Sequence, residues 1–552
     1  MVYSKLTGPA KGRVDGWIME EDKAKIRQRS GEQDDHILLL EKGKRGVLNV
    51  LFGRTMLIVL MLVVQILLLV LAFQSLQKYL ATFYVLQAVL YGGLIIYLVN
   101  KTSNAQIKIS WILIMVLLPA LGVALYLFVE MDVGHRLLNR RLGELIEQTR
   151  RYVPEQDAFQ ARLEAEDREL ASLSRYTWNH GHFPVYDNTA VEYLSSGETS
   201  LDSMLEALES ARDFIFLEFF IVDEGYMWGR VLKILEEKAR QGVEVRVMYD
   251  GTCALFRLPY RYPQMMQKLG IKCKMFSPLR PFMSTYYNNR DHRKILVVDG
   301  RVAYTGGVNL ADEYINRREL FGHWKDVSIR FEGEAVRSFT LMFLQMWNIN
   351  EPADAYERYL GSQFSQPVSA PGFVLPYGDS PLDDERVGEM VYLDIINRAE
   401  HYVHIMTPYL ILDGEMTTAL TFAAKRGVEI ALILPHIPDK KYAFALAKTH
   451  YRELLQAGVH IYEYTPGFVH AKVFVSDDEK AVVGTINLDY RSLYLHFECA
   501  AYICGMPAVN AVESDFIETR ALCQEIHLED LRNEKLLTRA AGALLKVLAP
   551  LM

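Results

Sequence analysis

His292-Arg-Lys-Ile-Leu-Val-Val-Asp299 and His470-Ala-Lys-Val-Phe-Val-Ser-Asp477 are one pattern written twice. Each opens His-x-Lys, passes through four residues that suit a strand, and ends on Asp. Seven residues after each Asp comes a small-residue turn with Asn, Gly306-Gly307-Val308-Asn309 and Gly484-Thr485-Ile486-Asn487. Asp326 and Glu498 each stand seven residues before a glycine, Gly333 and Gly505. The copies also agree upstream. Ala239-Arg-Gln-Gly-Val-Glu-Val-Arg-Val-Met returns as Ala424-Lys-Arg-Gly-Val-Glu-Ile-Ala-Leu-Ile. In both, a helical pattern stops at a glycine and a β-branched strand follows. The junction recurs at Leu269-Gly270-Ile271 and Ala457-Gly458-Val459. Such a long internal match is a duplication. Strands alternating with helices predict an α/β fold of two pseudo-symmetric domains, each a mixed sheet flanked by helices.

The spacing also assembles a site. Asp299-Gly300 is a hairpin-turn signal, so Lys294 to Val298 and Arg301 to Thr305 read as paired strands. Counting from the turn puts Val298 opposite Arg301 and Lys294 opposite Thr305. The period of two sets His292 and Lys294 on one face. One open end then gathers an imidazole, an ammonium, the Asn309 amide and the backbone N–H groups around Gly307. Val473 to Ser476 and Lys480 to Val483 do the same for His470, Lys472, Thr485 and Asn487, around an Asp477-Asp478 turn.

This set suits a phosphodiester. Lys and Asn donate to non-bridging oxygens and offset the charge that builds during displacement. One histidine can attack phosphorus while a second protonates the leaving oxygen. An in-line path needs both flanks of the phosphorus, which the two copies supply together. Asp299 and Asp477 stand at the turns, where a structural role competes with direct chemistry. Asp326 and Glu498 suit either an ion pair or the orientation of a histidine through its second ring nitrogen. The sequence has no His-Glu-x-x-His helix and no close Cys/His cluster, and a lysine beside each histidine opposes a cation. No metal or cofactor is expected.

Composition limits the partners. The chain has 552 residues and a formal net charge of −8, which argues against a general nucleic-acid binder. The apolar residues crowd near the N-terminus, with no charge from Thr55 to Gln77, Tyr79 to Asn100, or Ile109 to Val129. Each run is long enough for a hydrocarbon core of about 30 Å at about 1.5 Å per residue. Residues 55–130 therefore read as a transmembrane region with spans near 56–73, 83–99 and 111–129. Pro119 and Gly122 in the third run are tolerated in a membrane helix. A polar tail, 1–54, precedes this region. A helical linker, 131–185, follows it, then domains over 186–365 and 366–552. Five scattered cysteines, Cys253, Cys273, Cys499, Cys504 and Cys523, read as reduced thiols. They place the domains on the cytoplasmic side of a multi-pass cell-membrane protein. The basic and aromatic stretch 272–294 suits anionic headgroups. Leu536–Leu548 is amphipathic, too short to span, and expected to pack on the core.

These residues resemble the phospholipase D superfamily, marked by the duplicated His-x-Lys-x4-Asp motif. Asn288-Asn-Arg-Asp-His-Arg-Lys, Gly306-Gly-Val-Asn-Leu-Ala-Asp-Glu-Tyr, Gly322-His-Trp-Lys-Asp and Thr407-Pro-Tyr narrow the likeness to the bacterial cardiolipin synthase family. So do Gly484-Thr-Ile-Asn-Leu-Asp-Tyr-Arg-Ser and the ending Leu548-Ala-Pro-Leu-Met, and the likeness covers roughly residues 80–552. It departs at the N-terminus, where members usually show two spans and this chain has a third apolar run.

The resemblance implies a phosphatidyltransferase without a cofactor, embedded in a membrane and acting on phosphatidylglycerol to make cardiolipin. In that scheme His292 attacks the phosphorus of phosphatidylglycerol to give a phosphatidyl-histidine. His470 protonates the departing glycerol and then deprotonates the primary hydroxyl of a second phosphatidylglycerol. Lys294, Lys472, Asn309 and Asn487, with Gly307 and Thr485, hold the phosphate. The two histidines stand open to exchange of roles. Four alternatives remain on the same residues. They are a membrane-bound phospholipase D hydrolase, a nuclease, a synthase using phosphatidylethanolamine, and an inactive lipid-binding scaffold. The acidic chain and apolar runs disfavour the nuclease, and the intact motif pairs disfavour the scaffold.

Overall fold

The computed structural model describes residues 63–64, 66–67, 80–130, 133–277, 289–352, 356–361, 364–383, 385–533 and 536–551. The first copy supplies β1 (Thr189–Leu194), β2 (Phe214–Phe219), β3 (Glu244–Asp250), β4 (Lys272–Phe276), β5 (Arg290–Asp291), β6 (Lys294–Val298), β7 (Val302–Gly306), β8 (His323–Lys325) and β9 (Ser328–Gly333). The second supplies β10 (Phe373–Asp379), β11 (Tyr402–Met406), β12 (Glu429–Pro435), β13 (His460–Tyr464), β14 (Gly467–Val469), β15 (Val473–Ser476), β16 (Lys480–Gly484), β17 (His496–Cys504) and β18 (Cys523–Ile526). One sheet is ordered β1-β9-β7-β6-β2-β3-β4 and the other β10-β17-β16-β15-β11-β12-β13-β18. Laid on each other from β1 and β10, the two orders coincide up to the added edge strand β18. The repeat in sequence is thus a repeat in topology, two α/β domains with mixed sheets.

The central strands are mostly apolar because both of their faces are covered. Along β6, Ile295 and Val297 enter a core shared with Val473 and Val475 of β15 and Ala481 and Val483 of β16. Leu296 and Val298 point the other way, into a core with Trp228, Val231 and Leu232 of the helix Tyr226–Arg240. Along β15, Phe474 faces outward to Tyr392 of the helix Val387–Arg398, with the rings stacked at 3.9 Å. The shared core therefore locks the two motif strands together. Each buried aliphatic or aromatic side chain there contributes about 1.5–3 kcal/mol.

The hairpin register differs from the sequence expectation by one residue. Val298 pairs with Val302 and Leu296 with Tyr304, so Lys294 is not opposite Thr305. Asp299 and Gly300 both adopt left-handed backbone, with φ of 50° and 58°, and Arg301 N–H donates to the Val298 carbonyl at 3.0 Å. The turn is of the primed kind, but Arg301 stays in the loop as a bulge instead of opening the return strand. The second copy repeats this with Asp477 and Asp478 at φ of 56° and 57° and Ser476 paired with Lys480. Aspartate tolerates this backbone better than most side chains.

The apolar N-terminal region departs from the sequence expectation at its third run. Among the described residues, no helix is long and apolar enough to cross a membrane. The expected span 56–73 lies outside the described residues except for 63–64 and 66–67, and the tail 1–54 lies wholly outside them. The span 83–99 falls within helix α1 (Leu80–Asn100). The span 111–129 is not one helix but two, α2 (Ala105–Leu117) and α3 (Pro119–Glu130). Pro119 has no amide hydrogen and holds Leu118 off the helical region, at φ −129° and ψ 70°. The chain then doubles back. Trp111 meets Tyr126 edge to face at 5.5 Å, and Lys101 Nζ meets Glu130 Oε2 at 2.7 Å. A Cβ on Gly122 would lie 2.7 Å from the Ile114 carbonyl oxygen, so glycine permits the close crossing.

The linker is helical, with Val133–Thr149, Asp157–Glu166 and Arg168–Gly181. Near the C-terminus, α4 (Lys441–Ala457) and the short α5 (Tyr490–Tyr494) precede α6 (Leu536–Leu548). α6 lies along α4, as its amphipathic pattern suggests, with Gly542 close to the Ala445 carbonyl. All five cysteines are free.

Candidate active site

Short strands deliver each motif histidine to the opposite half. β5 pairs in parallel with the start of β17, and His292 N–H donates to the Phe497 carbonyl at 2.9 Å. β14 pairs in parallel with β8, and His470 N–H donates to the Lys325 carbonyl at 2.7 Å. The residue after each acceptor is the acid that stands at the matching place of the repeat, Glu498 or Asp326. Each ring therefore meets the acid of the other copy. His292 Nδ1 lies 2.9 Å from both carboxylate oxygens of Glu498, and His470 Nδ1 lies 2.6 Å from Asp326 Oδ2. A carboxylate at Nδ1 fixes the proton there and leaves Nε2 for chemistry.

The lysines sit beside the rings. Lys294 Nζ donates to the His292 carbonyl at 2.6 Å, and Lys472 Nζ donates to the His470 carbonyl. Both are buried. Burial pushes Lys294 down to about 8 and Lys472 to about 7, against the pull of Glu498 and Asp326. Burial also lowers both histidines, and the lysines add to it. His470 falls to about 4 even though Asp326 pulls it up, and His292 falls well below the usual imidazole value. The charges of Lys472 and His470 reach His292, and that of Lys294 reaches His470, so both motifs serve one electrostatic environment.

The aspartates at the ends of the motifs are placed away from the rings, at the hairpin turns. Asp299 accepts from the backbone N–H groups of Arg212, Asp213 and Phe214 at 2.7–2.8 Å. Asp477 accepts from those of Glu400, His401 and Tyr402 at 2.8–2.9 Å. Each carboxylate thus clamps the start of the neighbouring antiparallel strand, β2 or β11.

The turn residues act through the acids. Gly307 N–H donates to the Val327 carbonyl and Thr485 N–H to the Cys499 carbonyl, both at 2.9 Å, so neither amide faces an anion as the sequence suggested. Instead, Thr485 Oγ1 donates to Glu498 Oε2. At the matching position a Cβ on Gly307 would lie 1.9 Å from Asp326 Oδ1, so only glycine leaves room for that acid. Asn309 takes the Ile221 N–H on Oδ1 at 2.9 Å and donates from Nδ2 to Tyr314 Oη at 2.8 Å. Asn487 donates from Nδ2 to Ser492 Oγ at 3.1 Å, and its buried Oδ1 has no partner among the described residues. An amide nitrogen carries two donors, so among the described residues one N–H of each asparagine is unspent.

His496 is a site residue that the sequence did not reveal. Its ring lies 5.4 Å from His292, and Nδ1 lies 3.6 Å from Glu498 Oε1. Burial lowers it to about 3. It stands two residues before Glu498, where the first copy has Trp324 two residues before Asp326, and Trp324 packs 5.3 Å from His470. Alignment of the copies was the available signal. His292, His496 and Glu498 offer ligand atoms within 4.8 Å of one another, the group among the described residues able to hold a metal ion. The buried ammoniums of Lys294 and Lys472 oppose a cation there. Of the basic stretch expected to meet headgroups, 278–288 lies outside the described residues. Lys272 and Lys274 are paired with Glu244 and Glu351.

A family model for the cardiolipin synthase, PLD-like domain matches residues 204–347 and 392–520. One for the phospholipase D-nuclease N-terminal region matches residues 89–130. A cardiolipin synthase of Geobacillus kaustophilus is 32% identical over 482 residues, 86% of this chain and 95% of that one. An uncharacterized protein of Streptococcus mutans is 50% identical over 460 residues, 83% of this chain and 100% of that one. The fold is similar to that of a phosphatidylserine synthase of Haemophilus influenzae, with TM-score 0.52 and 16% identity over 69% of this chain and 98% of that one. The duplicated motif, the matched sheets and an alignment with a cardiolipin synthase along most of its length agree: this chain belongs to the cardiolipin synthase family, enzymes of the phospholipase D superfamily.

Proposed function

We propose that the protein transfers a phosphatidyl group from one phosphatidylglycerol to another, giving cardiolipin and glycerol at a membrane surface. The observation that supports this reading is the crossed pairing of His292 with Glu498 and His470 with Asp326, each beside a buried lysine. Two Nε2 atoms with matched carboxylate backing suit the two ends of an in-line displacement. His292 is the nucleophile. Burial and two nearby lysines keep it neutral, with its lone pair available. His470, which Asp326 pulls back towards protonation, is the acid and base.

His292 Nε2 forms a bond to phosphorus as the bond from phosphorus to the glycerol oxygen breaks. The leaving oxygen takes the Nε2 proton of His470. A second phosphatidylglycerol then gives its primary hydroxyl proton to His470 as its oxygen bonds phosphorus, and the phosphorus–nitrogen bond returns its pair to His292. Lys294 and Lys472 offset the charge on the non-bridging oxygens. The bound anion in turn raises the histidine that must carry a proton. Asn309 and Asn487 brace the loops beside the rings and offer their remaining amide N–H. Asp299 and Asp477 hold the strands in place and do not touch the phosphorus.

Purified protein given phosphatidylglycerol alone in mixed micelles should release glycerol and form cardiolipin without nucleotide or added metal. Phosphatidic acid as the main product would make the protein a hydrolase instead.

A further inference from the structure

An enzyme that joins two phospholipids works at a bilayer, and a role for the α2–α3 hairpin rests on that reading. The two helices have 13 and 12 residues, and their polar groups gather at one end. Asn104 caps α2 through the Gln106 N–H at 2.9 Å and donates to Asp413 Oδ2 at 3.0 Å and Tyr494 Oη at 2.8 Å. Gln106 Oε1 accepts from Tyr490 Oη at 2.6 Å and from the Gly414 N–H at 3.2 Å. Lys101, just before α2, and Glu130, at the end of α3, close the same end as an ion pair. Tyr490 and Tyr494 belong to α5, which follows the Asn487 turn, so the polar base is fastened beside the site.

The remainder of the hairpin is largely apolar, with Met115, Val123 and Tyr126 packed inward and one face turned outward. Ile109, Val116 and Leu117 are 61%, 60% and 68% exposed, and Leu127 and Val129 are exposed as well. The bend at the tip pairs part of its own backbone. Leu118 N–H donates to the Ile114 carbonyl at 2.8 Å, the Leu118 carbonyl accepts from Gly122 N–H at 2.5 Å, and Pro119 has no N–H. Internal bonds of this kind are what hydrocarbon requires of a chain that turns inside it. Thirteen residues reach about 20 Å at about 1.5 Å per residue, short of a core of about 30 Å. α6 lies alongside, with Ser110 Oγ donating to the Val547 carbonyl at 2.6 Å and Leu544 exposed.

We propose that the α2–α3 hairpin enters the acyl-chain region from the side on which the two sheets lie and returns to that side without crossing. Its occupant is lipid hydrocarbon. The polar base stays at headgroup depth, and α6 lies in the plane of the interface next to it. The site is thereby held at the depth of a phospholipid phosphate.

Sidedness tests this. Thr102→Cys and Arg136→Cys flank the hairpin, in full-length protein with Cys523→Ser, the other four cysteines being buried. A membrane-impermeant maleimide is applied to right-side-out and to inverted sealed vesicles. Both positions should label in the same one of the two preparations. Labelling in opposite preparations would show a crossing segment and overturn the proposal. So would protein washed from the vesicles by carbonate with both positions labelled in each preparation. Cardiolipin formation by the same variants in detergent micelles reads the proposed reaction separately. Activity there with labels on opposite faces defeats the hairpin alone, and its loss in the unsubstituted chain defeats the lipid chemistry.

Discussion

Glu498 holds the Nδ1 of His292 from 206 positions further along the chain, at 2.9 Å. Asp326 does the same for His470 across 144 positions, at 2.6 Å. Neither copy of the motif carries its own orienting acid, so each reaction group is completed by the other half.

Removing either acid should therefore cripple the histidine of the other copy. Glu498→Gln and Asp326→Asn keep shape but lose the negative partner, and kcat should fall roughly 10²–10⁴-fold for each. Steady-state turnover of phosphatidylglycerol checks this, with thermal unfolding as the control for folding. Near-normal kcat in both folded variants would remove the assigned orienting role.

The covalent step has its own assay. Acid quenching of enzyme turning over phosphatidylglycerol, followed by peptide mass spectrometry, should find the phosphatidyl group on the peptide carrying His292. His292→Ala should lose the adduct and on the order of 10³-fold or more in rate. An adduct mapped to His470 would exchange the two roles.

Alkaline pH should separate activity from stability. Lys472 and Lys294 titrate near 7 and 8 in the free site, so kcat/KM should decline as pH rises through that range. At saturating lipid the bound phosphate favours the ammonium forms, so kcat should hold to higher pH. Stability moves the other way. Between those values and the ordinary 10.5 the unfolded chain binds more protons than the folded one, so these lysines make folding more favourable as pH rises. The histidines act at the acid end. Both lie below 6.5 when folded, so their contribution is lost as pH falls below about 6.5, for His470 down through about 4. Paired pH profiles of kcat/KM and of unfolding midpoint would show this. A midpoint that drops together with kcat/KM above pH 8 would contradict it.

Gly307→Ala should act at a distance of one side chain. The new Cβ would stand 1.9 Å from Asp326 Oδ1, so the acid must swing away from His470. Turnover should drop at least about tenfold, as for a misplaced orienting group. Thr485→Val, which removes the donor to Glu498, should cost about 1–3 kcal/mol of stability as well as rate. Unchanged kinetics in Gly307→Ala would mean the loop relaxes freely.

Asp299→Ala should be a stability variant first. Three backbone N–H groups lose a charged acceptor, worth about 2–3 kcal/mol in unfolding free energy. The folded fraction should keep most of its kcat. A stable protein without turnover would instead make Asp299 part of the chemistry.

Much of this architecture was legible because it is local and repeated. The His-x-Lys pairs, the Asn turns and the helix–glycine–strand junctions each lie within a few residues, and their recurrence separated them from chance. The crossed partners were not, because Asp326 and Glu498 find their histidines through the parallel additions β8–β14 and β5–β17, which join distant segments. The one-residue register error arose at Arg301, where a bulge follows the primed turn and composition does not distinguish a two-residue from a three-residue loop. The fold-back at Leu118-Pro119 was missed because a charge-free run has the same composition whether the chain continues or reverses. His496 was missed because a lone histidine carries no spacing signal until the copies are laid on each other at Trp324.

The exchange of short strands between the halves has an evolutionary corollary. After a duplication, twin units ordinarily drift apart, each tolerating change on its own account. Here a substitution beside Phe497 is felt at the nitrogen of His292, and one beside Lys325 at that of His470. The twins are bound to diverge in step, as two signatories to one contract.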